Sequence, residues 1–221
     1  MIESNRTLVP GGARHAIAFP EAGVNHIVYG WPDGIGDALG RRIIDLMRHT
    51  TASAPIIGFA EEISDGDAEA YLGDLRAHLA SNKCRLLTIT ADSGLLIGLC
   101  TLRRNLNPNN CHITDLAKGM IREEFRGGLV LPAAFYEIAL KCQADGVDVV
   151  TLDVRAGTPA HRAWERFGFQ TWGVLPDYAR AQGTVHAGHF MLQRVADLRQ
   201  RAVEAAAARM RTLATAEAAT A

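Results

Sequence analysis

The stretch Asp115–Ala144 restricts the possible folds of this chain more than any other, because the spacing of its apolar residues changes from that of a strand to that of a helix within a few positions. Leu116–Arg122 predicts a strand, and Arg126-Gly127-Gly128 predicts a tight turn. Pro132 follows near the start of a helix, where a missing N–H does no harm. One apolar stripe recurs at helical spacing: Leu131, Phe135, Ile138 and Cys142.

A glycine turn between a strand end and a helix start presents backbone N–H groups and the positive end of the helix dipole. This arrangement predicts an anion site, most naturally for phosphate. An ordinary connection between a strand and a helix is the alternative explanation of the same residues.

Composition limits the classes of partner. The 221 residues carry 23 Lys and Arg against 24 Asp and Glu, so no basic field exists to hold nucleic acid or an anionic membrane. Four cysteines without a CxxC pattern predict free thiols rather than a disulfide or metal framework. No run approaches the roughly 18 apolar residues of a membrane span, and residues 1–24 lack the apolar core of a signal peptide. We therefore expect a cytoplasmic protein without a bound metal.

Periodicity and turn residues predict one mixed α/β sheet, antiparallel early and with crossover helices later. The order is strand, two helices, three strands, helix, strand, helix and two strands. The predicted segments are 26–30, 37–49, 64–82, 85–90, 95–102, 112–122, 129–144, 147–154, 160–167, 169–174 and 186–194. The last two strands are expected to be joined by a loop over 175–185.

Three regions follow from this pattern. Residues 1–24 are expected to be an irregular arm, 25–194 the domain, and 195–221 a peripheral helix with a frayed tail. The Ala-rich tail could pack on a second copy in a homodimer, or be disordered.

The carboxyl-terminal half resembles the GNAT superfamily of N-acetyltransferases. Thr151–Phe169, TLDVRAGTPAHRAWERFGF, is similar to that family's strand, short helix and Gly-Phe segment. Gly173–Arg180, GVLPDYAR, followed by Gly183 and the strand 189–194, is similar to its closing hairpin. The sequences of these two segments most resemble those of the tabtoxin-resistance-like acetyltransferases.

The resemblance implies a single domain with the GNAT fold that binds acetyl-CoA. The pantetheine arm would lie along the family's fourth strand, and the pyrophosphate would lie on the loop and helix start that follow. The implied pantetheine residues are Gly119, Met120, Ile121 and Arg122. The implied pyrophosphate residues are Arg126, Gly127, Gly128, Leu129, Val130 and Leu131.

Two positions depart from the family pattern. Leu129 and Leu131 stand where the phosphate loop usually has small residues, and their bulk could keep the pyrophosphate away. Trp164 stands where most members have a Tyr that protonates the leaving thiolate. An indole N–H cannot give up a proton at useful pH, so Trp164 would hydrogen-bond the sulfur or pack.

Asp115 and Tyr178 are the catalytic candidates. Asp115 would take a proton from the acceptor ammonium if burial raises its pKa. Otherwise it positions the substrate or pairs with Lys118. Tyr178 would replace the missing acid or contact the acceptor, with a packed loop aromatic as the alternative.

The function predicted from the resemblance is transfer of an acetyl group from acetyl-CoA to the amine of a small molecule, toxin-like or amino-acid-like. Acceptor choice would depend on segments near 33–60 and 175–188, which carry no recognisable motif. Two alternatives stay open: a GNAT-fold binding or regulatory module without transfer, and an enzyme with another acyl donor or non-CoA chemistry.

Overall fold

A computed structural model describes residues 2–53, 63–181 and 183–220. Within these residues nine strands form one sheet, in the order β1-β2-β3-β4-β5-β6-β7-β9-β8. The strands are β1 Arg6–Val9, β2 Gly12–Phe19, β3 Val24–Gly30, β4 Cys84–Ala91, β5 Leu96–Arg104, β6 Ile113–Ile121, β7 Val149–Arg155, β8 Gln170–Ala181 and β9 Thr184–Arg194. The helices are α1 Asp37–Ser53, α2 Asp65–Ala80, α3 Val130–Ala144, α4 Pro159–Arg166 and α5 Val195–Thr220.

The mixed sheet that the sequence predicts is confirmed. Neighbouring strands are antiparallel except β6 and β7, which run parallel through the crossover helix α3. The order of elements from β3 to β9 is the predicted one. Residues 54–62 lie outside the described residues, and 54–60 of them belong to the segment expected to affect acceptor choice.

Helix starts follow local chemistry. Ser64 caps α2, since its Oγ accepts from the Asp67 N–H at 3.1 Å and the Asp67 carboxylate accepts from the Ser64 N–H at 3.3 Å. This is the reciprocal capping box that the spacing predicts. Thr158 caps α4 by accepting from the His161 N–H, and Pro159 occupies the first turn.

The expectation of an irregular arm over residues 1–24 is wrong for residues 6–19. They form β1 and β2, which extend the sheet beyond β3. In β2 the buried Ala13, His15 and Ile17 alternate with exposed residues, as in a strand with one face covered. Arg6 and His15 both reach the buried carboxylate of Glu137 in α3, and this contact ties the two strands to the core.

The predicted loop over 175–185 is also wrong, because β8 and β9 continue as one long hairpin. Leu175 pairs with Gly188 and Ala179 pairs with His186, so β8 carries extra residues between these pairs. Pro176 falls in this bulge. Proline is tolerated there, since β8 is an edge strand and a bulged residue need not donate to the ladder.

The helices cover both faces of the sheet and enclose two buried clusters. Helices α1 and α2 cover one face with a core that includes Leu86, Leu99 and Met120. Helix α3 covers the other face together with α5. The expectation that the carboxyl-terminal helix is peripheral is wrong for its first half, whose buried residues repeat at helical spacing: Val195, Leu198, Ala202 and Ala206.

No helix among the described residues is both long enough and apolar enough to cross a membrane.

Candidate active site

Strands β6 and β7 part after a short paired segment. Their register covers Ile113 with Val149, Thr114 with Val150, and Asp115 with Thr151. Beyond these pairs β6 runs on to Ile121 and β7 to Arg155. A parallel sheet that opens in this way leaves backbone groups of both strands facing a gap, which a ligand can enter between them.

A bulge in β6 marks the gap. Thr101 faces Ala117 and Leu99 faces Met120, so β6 has one more residue than β5 across this interval. Lys118 takes up the difference with a φ of +55°, which is uncommon for a residue with a side chain. The bulge turns the following residue, Gly119, to the surface.

Trp164 borders the same gap from α4. A Cβ built on Gly119 would lie 3.8 Å from the Trp164 ring. The indole also contacts Phe135 and Phe169, with ring centroids 5.2 and 5.1 Å apart. The structure therefore shows the packing role that was considered for Trp164. A hydrogen bond from the indole to a ligand sulfur stays a prediction.

The loop after β6 leads directly into α3. Gly127 has a φ of +77°, and a Cβ there would meet nothing within 4 Å, so the turn faces open space. Gly128 lies against Phe19 of β2. The first turn of α3 contains no acidic side chain. No carboxylate in that turn therefore neutralises the positive end of the helix dipole.

The two leucines that depart from the family pattern do not project freely. Leu129 and Leu131 are partly buried and pack against the core beneath α3. Val130 between them is fully buried, and its carbonyl accepts from the Tyr29 hydroxyl at 2.9 Å. The bulk expected to keep a pyrophosphate away is therefore directed in part into the core.

The side chains of the other predicted donor-binding residues have structural partners. Met120 is buried under α1 and α2, and Ile121 packs partly buried against the other core. Arg122 donates to the Leu96 carbonyl and pairs with Asp45 of α1. Arg126 donates from Nε to the Ile121 carbonyl at 2.8 Å and is otherwise exposed beside the turn.

Asp115 lies where the two strands begin to part. Its Oδ1 is 3.3 Å from the Thr151 hydroxyl, and its Oδ2 is 3.8 Å from Arg103 Nη1. Burial raises the pKa of the Asp115 carboxyl, and the nearby charge of Asp153 raises it further, against the lowering effects of Arg103 and Thr151. A raised pKa makes this carboxylate a better proton acceptor than an exposed aspartate.

Tyr178 reaches the same face of the sheet from the bulge in β8. Its hydroxyl donates to the Asp153 carboxylate on β7. The ring crosses β9 directly above Gly188, where a Cβ would lie 2.1 Å from Tyr178 Cγ. Burial raises the pKa of the Tyr178 hydroxyl, and the hydrogen bond to Asp153 raises it further, so the phenol keeps its proton through neutral pH.

The structure thus brings Asp115 and Tyr178 to one polar cluster, while the loop residues 126–131 lie at the far end of β6. Sequence reasoning missed three members of this cluster: Arg103, Asp153 and Gly188. The alternation of Thr151 and Asp153 with apolar residues in β7 does indicate that both face one side. Nothing local indicates that Tyr178 crosses β9 to reach them.

Comparison with known proteins bears on the fold. No family model matches the chain, and no curated protein matches it. Solved acetyltransferase structures superpose on it at low identity. Mycobacterium smegmatis RimJ in complex with CoA-disulfide has a TM-score of 0.62 at 17% identity, covering 83% of this chain and 90% of that one.

Two further structures extend the comparison. A GNAT-family acetyltransferase from Streptococcus pneumoniae has a TM-score of 0.61 at 14% identity, covering 76% of this chain and 99% of that one. The microcin C7 self-immunity acetyltransferase MccE, in complex with acetyl-CoA and AMP, has a TM-score of 0.60 at 13% identity, covering 76% and 92%. The chain therefore has the GNAT acetyltransferase fold, as its sequence predicts.

Proposed function

We propose that this protein is an acetyl-CoA-dependent N-acetyltransferase that acts on the amine of a small molecule. The observation that carries the proposal is the gap between β6 and β7, with Asp115 at its closed end. The turn at Gly127 and the start of α3 lie at the other end of β6. A donor lying along β6 would have its phosphates at the helix start and its thioester near the bulge at Lys118.

The loop residues suit a pyrophosphate. Gly127 faces open space, and the first turn of α3 offers backbone N–H groups without a competing carboxylate. The Arg126 guanidinium beside this turn would add a positive charge. Leu129 and Leu131 pack against the core, and this reduces the side-chain bulk that would oppose a pyrophosphate at the turn.

The reaction would need one proton acceptor and one proton donor. The acceptor ammonium gives one proton to Asp115, and the free amine nitrogen then forms a bond to the thioester carbonyl carbon. The second proton passes from this nitrogen to water as the amide forms. Backbone N–H groups of β6 at the bulge would stabilise the oxyanion. The carbon–sulfur bond then breaks, and the thiolate takes the proton of the Tyr178 hydroxyl, which turns from its hydrogen bond with Asp153 toward the sulfur.

Thermal unfolding with and without acetyl-CoA tests donor binding. A ligand at a hundred times its Kd stabilises the fold by about 2.7 kcal/mol, or roughly 5–10 °C for a chain of this size. We expect the shift to be smaller in Arg126→Gln and unchanged in the control Arg14→Gln, which removes an exposed charge from β2. Absence of any shift at millimolar acetyl-CoA contradicts the proposal.

A binding module without transfer is the second candidate, and Trp164 favours it. The indole occupies the position of the usual acid and is packed between Phe135 and Phe169. Binding of acetyl-CoA without thiol release across a panel of amines and acyl donors would support this candidate. Gain of activity in Trp164→Tyr would show that only the proton donor is missing, and preference for a bulkier acyl donor would instead indicate altered chemistry.

A further inference from the structure

A cavity of about 620 Å³ opens on the α1–α2 face of the sheet, between α2 and the ends of β4, β5 and β6. This volume lies within the range of small-molecule sites, roughly 300–1,000 Å³. Lys118, the residue in the β6 bulge, and Thr101, whose hydroxyl donates to the Ala117 carbonyl at 3.1 Å, form part of its wall. The cavity therefore reaches the place where β6 and β7 part.

The charge of the cavity wall is strongly one-sided, although the whole chain is nearly neutral. Among the described residues that line it, four are cationic: Lys83, Arg103, Arg104 and Lys118. Asp74 of α2 is the single carboxylate among those described lining residues. Such a surplus of positive charge in a concave, partly desolvated site attracts anions and repels cations.

Arg103 links the cavity to the proposed catalytic group. Its Nη1 lies 3.8 Å from Asp115 Oδ2, yet 64% of its side chain is exposed, so the guanidinium keeps donors available toward the cavity. Arg104 is held by the Asn82 carbonyl at 3.3 Å, which fixes a second guanidinium at the same rim. A planar guanidinium presents paired donors that match a carboxylate or a phosphate.

Tyr71 supplies a neutral group in the same wall. Its hydroxyl is buried and has no hydrogen-bond partner among the described residues. A buried polar atom without a partner is costly, so a ligand atom that hydrogen-bonds to this hydroxyl would be favoured. Burial raises the pKa of this phenol to about 12, so it is available as a donor at neutral pH.

We propose that the acceptor is a primary amine that also carries an anionic group, either a carboxylate or a phosphate, and that this cavity binds that group. Arg103 and Lys83 hold the anion, Tyr71 donates to it, and the amine is left facing Asp115. This inference rests on the proposed acetyl transfer and adds the class of acceptor. The same charges disfavour polyamines, whose ammonium groups would have to enter a positive site.

Matched pairs of acceptors test the proposal. Phosphoethanolamine is compared with ethanolamine, and β-alanine with β-alaninamide, by thiol release at saturating acetyl-CoA. We expect kcat/KM to be at least about tenfold higher for the anionic member of one pair, a difference of about 1.4 kcal/mol. Which pair shows the preference identifies the anion as phosphate or carboxylate.

Two variants locate the effect. Arg103→Gln is expected to reduce the preference for the anionic member about tenfold while leaving the KM for acetyl-CoA unchanged. Arg14→Gln removes the same charge from β2, three strands away from β5, and is expected to leave the preference unchanged. Equal or better use of the members that lack the anionic group, or of spermidine, overturns the anionic acceptor while acetyl transfer itself stands.

Failure of the proposed function is distinguished by direct binding. If acetyl-CoA neither binds nor reacts, titration calorimetry with phosphoethanolamine and β-alanine is carried out on the wild-type chain and on Arg103→Gln. Binding that is lost in the variant supports the anion site independently of catalysis. Absence of binding by both anionic amines overturns it.

Discussion

Two clusters of charged groups in this molecule have opposite electrostatic character. At the amino-terminal edge, Glu137 of α3 is 3% exposed and receives hydrogen bonds from Arg6 at 2.6 Å and from His15 at 2.7 Å. Burial alone would raise the pKa of Glu137, but the hydrogen bonds and charges of His15 and Arg6 lower it overall. The Glu137 carboxylate is thereby closed by its own partners, whereas His15 Nδ1 is buried without a partner among the described residues.

The cluster around Asp115 is not closed in this way. Burial and Asp153 raise the pKa of the Asp115 carboxyl, whereas burial and Arg103 lower the pKa of Lys118. The surroundings of each group therefore disfavour its charged form. Groups perturbed by burial and by neighbours of like charge are typical of functional sites, whereas a carboxylate paired on both oxygens is typical of structural ones.

The largest expected effect is on catalysis. Asp115→Asn removes the proposed proton acceptor, and we expect kcat to fall by about 10²–10⁴. Because the pKa of Asp115 is raised, its ionised form opposes folding at neutral pH, so stability should be unchanged or higher. Thiol release and thermal unfolding measure the two effects, with Asp148→Asn, an exposed residue just before β7, as the control. Full activity in Asp115→Asn would exclude it as the base.

The converse effect is expected at the amino-terminal edge. Glu137→Leu leaves Arg6 and His15 without their anion, and we expect the free energy of unfolding to fall by about 3–5 kcal/mol. Denaturant unfolding measures the loss, and kcat below the transition should be unchanged. Glu69→Gln on the exposed side of α2 is the control. Loss of activity without loss of stability would contradict the assignment of a structural role to the Glu137 cluster.

The pH dependence of stability sharpens the same contrast. A carboxyl with a lowered pKa stabilises the fold above its unfolded-state pKa and loses that contribution as pH falls through its folded-state pKa. Glu137 should therefore contribute an acid-labile part of the stability, which is absent in Glu137→Leu.

Substitution of Gly188 should reduce kcat as much as substitution of Tyr178, whose ring lies over this glycine. In Gly188→Ala the new Cβ would overlap the Tyr178 ring, which must then leave Asp153. We expect a loss of about 10²-fold in kcat, similar to that in Tyr178→Phe. The double variant should lose little more than either single one. Gly173→Ala in the same hairpin, whose Cβ would meet Phe190 at an ordinary 3.9 Å, is the control.

The smallest effect concerns the acid limb of the pH profile. Asp153→Asn removes a negative charge that raises the pKa of Asp115, so the pKa of that carboxyl should fall and the acid limb of kcat/KM should move to lower pH. The measurement is kcat/KM between pH 4 and 8 in both proteins. Movement of the limb to higher pH would contradict the assignment of that limb to Asp115.

Local patterns were sufficient for much of the fold. The helical stripe after Pro132, the capping box at Ser64 and the hairpin between β4 and β5 each depend on residues within a few positions of one another. The strand, glycine turn and helix around Gly127 are equally local. The predicted GNAT-like fold followed from these elements and from the resemblance of the carboxyl-terminal half.

What the sequence could not determine depends on contacts between distant residues. The strands β1 and β2 depend in part on Glu137, which lies 131 residues from Arg6. Tyr178 meets Asp153 only because β9 runs between their strands and has no side chain at Gly188. The cationic cavity likewise combines side chains from α2, β5 and β6. Periodicity and turn chemistry determine which elements form, but only their tertiary packing decides which charges become neighbours, since burial and pairing are properties of the assembled core.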